Sequence, residues 1–148
     1  MTVRAARFFG ALSILAVGGV HLQQYIGAGY SVIPTVGTLF LLNAIGAGVV
    51  GLGLLLPFRL VLDEHRSNLA VAGLAAAGAA IAVGSLVALF ISENGTLFGF
   101  HEYGYRTVID VAIATEVAAT LILTPLAAVG LVRAGYAASR SAWDLDAK

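Results

Sequence analysis

Four long apolar stretches, separated by short polar ones, take up almost the whole chain. They run over 8–28, 35–56, 69–92 and 108–132. Each approaches or exceeds the roughly 20 residues that carry a helix across about 30 Å of hydrocarbon. The breaks have turn chemistry. Gly27, Gly29, Ser31 and Pro34 lead out of the first stretch, Pro57 closes the second, and Asn94-Gly95 follows the third. The pattern predicts an all-α fold, an integral membrane four-helix bundle. It is a single transmembrane domain with a polar tail over 133–148, and no length is left for a soluble domain. Arg4 and Arg7 before the first stretch imitate a signal peptide. That stretch is long enough to span, and no clear cleavage site precedes a polar domain, so it is read as a retained helix.

Small residues mark expected packing faces. The third stretch carries Ala72, Ala76, Ala80, Gly84 and Ala88 at every fourth position. The second offers Ala44, Gly48 and Leu52 beside Asn43, Ala47 and Gly51. Small side chains at this spacing let backbones approach closely in lipid. On the fourth stretch Ala112, Glu116, Thr120, Thr124 and Ala128 form a small or polar line expected to face inward. Pro125 removes a backbone hydrogen bond there and predicts a kink.

Composition supports the membrane reading. Of 148 residues, 59% are hydrophobic and 11% charged, against about a quarter charged in a soluble domain. Mean hydropathy is +0.95. The net charge of zero gives no reason to expect nucleic acid as a partner. With no cysteine, disulfide exchange, thiolate metal sites and iron–sulfur clusters held by this chain are excluded.

Charge placement adds an orientation. Arg4, Arg7, Arg59, Arg66, Arg133, Arg140 and Lys148 fall on one side of the four spans, and only Arg106 falls on the other. The positive-inside rule then puts both termini in the cytoplasm of a multi-pass cell-membrane protein. Tyr25, Tyr30, Tyr103 and Tyr105 are expected as an outer aromatic belt.

The candidate chemistry sits on the side away from most of that positive charge. The run Phe98 to Asp110 gathers His101, Glu102, Tyr103, Tyr105, Arg106 and Asp110. Deeper in the spans lie His21, Asn43 and Glu116, all at an expected depth of roughly 10–12 Å. Matching depth lets these three meet if their faces converge. Such a cluster either holds the helices in register or binds a proton or ligand, because intramembrane ionisable groups are costly and usually functional. His101, Glu102 and Asp110 have ligand types that suit zinc, copper or iron, but no ligand spacing accompanies them, so no metal is assigned. Haem would need axial ligands such as a His pair, which the three histidines do not supply. No cofactor is assigned. An Arg106–Asp110 pair at i, i+4 is expected at the start of the fourth helix.

The runs Gly19 to Tyr25, Tyr30 to Thr35 and Leu39 to Ala44 resemble small four-span membrane proteins of actinobacterial type. In size and layout alone the chain is similar to DoxX-like proteins. The resemblance covers most of the chain and implies no catalytic residues. Three functional classes remain. The first in order is an accessory or structural subunit of a larger membrane complex, with partner subunits or further copies of the chain around it. The second is an oligomeric binding or transport protein using His21 and Glu116 for a proton, cation, lipid or quinone. The third is a membrane enzyme acting at the mouth through His101, Glu102 and Asp110.

Overall fold

The computed structural model describes residues 2–103 and 106–146, with side chains through Arg140. Four α-helices account for most of it: α1 (Val3–Gly27), α2 (Val36–Leu55), α3 (Glu64–Asn94) and α4 (Thr107–Asp146). Single 3₁₀ turns at Tyr30–Val32 and Phe58–Leu60 lie in the first two connections. All four helices are long and apolar enough to cross a membrane. Tyr105 and Lys148, part of the belt and the charge count, lie outside the described residues.

Local chemistry sets several helix ends. Thr2 caps α1 by accepting from the Ala5 N–H at 3.2 Å. Asp63 caps α3 by accepting from the Arg66 N–H at 2.8 Å. Both satisfy amides that a first turn leaves without partners. At the end of α2 the Arg7 guanidinium donates to the Leu54 and Leu56 carbonyls. It also lies 5.6 Å over the Phe58 ring. Three helices run longer than their apolar stretches. α1 and α3 each start five residues earlier, and α4 continues past Arg133 through the polar tail. Pro125 sits inside α4 without ending it.

The helices run up and down in ring order, each beside its sequence neighbours, with α4 returning against α1. The core is built from Ala11, Ile14 and Val17 of α1, Ala47, Val50 and Leu54 of α2, Val71, Ala75 and Ala82 of α3, and Ala119, Leu123 and Leu126 of α4. At Gly78 an added methyl group would meet Leu123, Val50 and Ile14 at 2.7, 3.1 and 3.6 Å, one contact from each other helix. Gly78 therefore marks the point where all four helices close in. Large side chains such as Phe90, Leu121, Val49 and Ile45 point outward instead. A mixed small and aliphatic core under a surface of large apolar side chains is an arrangement suited to lipid, where burying every large side chain brings no hydrophobic gain.

Two packing expectations are corrected. Of the α3 line, Ala72 is buried, but Ala76, Ala80 and Gly84 are exposed. The face in use is Val71, Ala75, Gly78 and Ala82. Similarly, α4 buries Glu116 but exposes Thr124 and Ala128, and turns Ala119, Leu123 and Leu126 inward. The reason is helical period. A strict four-residue line drifts about 40° around the helix at each step, while mixed three- and four-residue spacing stays on one side. On α2, Ala47 and Gly51 are buried, while Leu52 faces out.

Candidate functional site

At the end of the bundle that carries Tyr30 and Glu102, the four helices enclose a cavity of about 390 Å³. Its deep polar level is set by one side chain from each helix: His21, Asn43, Ser85 and Glu116. These residues lie six to nine positions in from their helix ends, a depth of roughly 9–14 Å.

His21 is 7% exposed and Glu116 is 1% exposed. The His21 Nδ1–H donates to the Val17 carbonyl of its own helix at 3.0 Å. A carbonyl only accepts, so in the neutral ring Nε2 is the acceptor. The Ser85 hydroxyl lies 2.9 Å from Nε2, and Glu116 Oε1 lies 3.7 Å from the same atom. Ser85 also contacts the Glu116 carboxylate. Its single proton serves one of these acceptors at a time. Among the described residues, Glu116 Oε2 and Asn43 Oδ1 are buried without any hydrogen-bond partner. Two acceptor atoms at the polar level are therefore left unpaired.

Aromatic rings lead from this level to the mouth. Phe40 lies 5.1 Å from the His21 ring and stacks on Tyr30 at 4.7 Å. Phe100 meets Tyr30 edge-on at 5.6 Å. Tyr30 is buried, so it is part of the cavity wall and does not stand in an outer belt as expected. Gly37 makes this placement feasible: a side chain there would run into the Tyr30 carbonyl and the Ser31 backbone. Phe100 is held over the ring by a tight turn. Leu97 and Phe100 exchange backbone hydrogen bonds of 2.7 and 2.9 Å, with positive φ at Phe98 (52°) and Gly99 (80°). Positive φ at both central residues is the pattern of a type I′ turn.

A three-membered polar latch closes the mouth. The Tyr30 hydroxyl donates to Glu102 Oε2 at 2.5 Å. Arg106 Nη2 donates to the Tyr30 oxygen at 2.8 Å and to Glu102 Oε1 at 2.9 Å. Burial, and next the hydrogen bond to Glu102, raise the Tyr30 pKa. The hydrogen bond to Tyr30 raises that of Arg106. The expected Arg106–Asp110 pair is thus corrected. Arg106 precedes α4 and reaches back across the mouth, while Asp110 is exposed in the first turn of the helix. A carboxylate there is favoured by the helix dipole without an Arg partner.

His101 does not join the latch. Its Nδ1–H donates to the Gly95 carbonyl, and its ring packs edge-on against Tyr103 at 4.4 Å. The structure therefore brings together His21 and Glu116 with Asn43 beside the same cavity, and separately Glu102 with Arg106. It does not bring His101, Glu102 and Asp110 to one point. Among the described residues no three His, Cys, Asp or Glu side chains converge as metal ligands. Sequence reasoning missed Ser85, Phe40 and Phe100. Ser85 carried a readable signal, as the hydroxyl in the interior of an otherwise apolar third stretch whose other serine, Ser92, is its last residue.

No protein-family model matches the chain, and no curated protein or solved structure is significantly similar to it.

Proposed function

We propose that this chain is a membrane-embedded binding protein for a small lipophilic molecule that donates hydrogen bonds. The observation that carries the reading is the pair of buried acceptor oxygens, Glu116 Oε2 and Asn43 Oδ1, left without donors beside a 390 Å³ cavity. A buried polar atom without a partner is costly. Asn68 Nδ2 and Glu93 Oε1 are also in that state, but Glu116 and Asn43 line one cavity, where a ligand can supply the missing donors. Ligand sites are concave and mostly apolar, with a few converging polar groups, and this cavity has that character. The actinobacterial and DoxX-like resemblance implies no residue roles, and the site alone supports this reading.

In this reading the protein sits in the cell membrane with both termini in the cytoplasm, and the Tyr30–Glu102–Arg106 latch faces outward. Support for that orientation is the Arg bias of the opposite end. An accessory-subunit role makes a different demand: partners in fixed ratio and nothing in the cavity.

Native mass spectrometry of the protein, extracted gently from its own membrane, separates the two. The binding reading expects a non-protein mass on the chain or its homo-oligomer. That mass is lost in Ala88→Phe, which fills the cavity from α3. Stoichiometric partner subunits with an unliganded chain would overturn it.

A further inference from the structure

We infer that the ligand is a lipophilic amine, with its ammonium head at Glu116 and Asn43 and its apolar part leaving between α2 and α3. This inference rests on the binding reading and names the ligand class.

The head group follows from the balance of donors and charge. Two carboxylates, Glu102 and Glu116, line the cavity. Glu102 already has Arg106 at 2.9 Å. Glu116 has no Arg or Lys partner among the described residues; its ion-pair neighbour is His21 at 3.7 Å. That ring already directs Nδ1–H to the Val17 carbonyl, and the Ser85 hydroxyl is hydrogen-bonded to Nε2. An ammonium group brings three donors and a positive charge to a level that is short of both. An alcohol brings one donor and no charge. A ketone or quinone brings only acceptors and would leave Oε2 and Oδ1 unpaired. The Phe40 ring, 5.1 Å from that of His21, borders the head site, with Tyr30 and Phe100 beyond it toward the mouth. Aromatic faces attract a partly desolvated cation.

The apolar route follows from how α2 and α3 meet. They are in contact up to the cavity wall: Leu74 lies 3.1 Å from an added methyl at Gly53, and Ile81, which itself lines the cavity, lies 3.2 Å from one at Gly46. Beyond Ile81 the cavity reaches the surface between them. Leu39 and Leu42 on α2 and Ala80 and Gly84 on α3 line the cavity and are also exposed on the bundle surface. A methyl group added at Gly84 would touch nothing within 4 Å. The water-facing mouth, in contrast, is closed by the latch. A molecule dissolved in the bilayer thus has a side entrance lined by small and aliphatic residues.

The test uses four probes of one alkyl chain length: the primary amine, the trimethylammonium salt, the alcohol and the carboxylate. Each is titrated onto the full chain in nanodiscs and counted as bound adduct by native mass spectrometry. Ala88→Phe reports non-specific uptake. The inference expects the amine to bind at least about tenfold more tightly than the other three, a gap that one well-placed charged hydrogen bond supplies. It also expects Glu116→Gln to erase most of that preference, and Gly84→Phe at the side entrance to slow uptake. Equal binding of the trimethylammonium salt would overturn donation by N–H. Equal binding of the alcohol, with no effect of Glu116→Gln, would overturn the cationic head. Absence of probe binding alongside a native mass sensitive to Ala88→Phe would sink the amine class and leave the binding reading intact. With neither probe nor native mass, both fall.

Discussion

Replacing Glu116 with methionine sets the site reading against the register reading most directly. The carboxylate is 1% exposed, and its Oε2 has no partner. A buried acceptor without a donor costs about 1–3 kcal/mol. The substitution relieves that cost and gives up the contacts to His21 and Ser85. Interhelical polar contacts in membranes average about 0.6 kcal/mol and reach about 1.7. Methionine has similar length and adapts to its surroundings, so repacking adds less than about 1.5 kcal/mol. The relief and the losses nearly cancel, and the expected change is within about 2 kcal/mol of zero, leaning to stabilisation. His21 stays satisfied by Val17 and Ser85. The assay is unfolding in mixed micelles by dodecyl sulfate titration, followed by circular dichroism at the helical band, with ligand retention read by native mass spectrometry. A variant as stable as the parent that no longer holds its ligand is the signature of a residue kept for function at a cost to stability. A loss well above 2 kcal/mol would make Glu116 a strut between helices and refute the reasoning.

Three further outcomes follow from the geometry. In Gly130→Ala the new methyl would lie 2.9 Å from the Ala72 Cβ and 3.2 Å from its Cα. Backbone cannot swing aside, so a loss of about 1–3 kcal/mol is expected in the same titration. Gly73→Ala, which meets nothing, should gain about 0.5–1 kcal/mol, and equal behaviour of the two variants would contradict the packing. Tyr30 has a pKa raised above the ordinary 10.0, so the folded chain keeps a proton that the unfolded chain releases. Its contribution is therefore complete below pH 10 and declines as pH rises beyond it. Tyr30→Phe should flatten that part of the alkaline stability profile, and an unchanged profile would contradict the latch. Phe98 adopts a φ of 52° in an exposed position. Phe98→Asn should stabilise the chain by about 0.5–1 kcal/mol, because Asn tolerates the left-handed region, and a loss on thermal unfolding would contradict the turn.

The sequence by itself determined the number of helices, their connections and the depth of the polar side chains. These follow from run length, turn residues and a fixed rise per residue, all of which are local. That is why His21, Asn43 and Glu116 could be placed at one level without coordinates. Only the tertiary structure decided which faces meet. The four-residue lines of small residues on α3 and α4 looked like packing seams, but helical period carries them around to the outside. The role of Arg106 was also beyond the sequence. Its neighbour at i+4 is Asp110, yet it pairs across the mouth with Glu102 and Tyr30, a residue 76 positions away. Ser85, Phe40 and Phe100 became part of a site only when α2, α3 and the 97–100 turn closed around one cavity. Side-chain chemistry can be read residue by residue, while a cavity belongs to several helices at once and exists only where their packing leaves it.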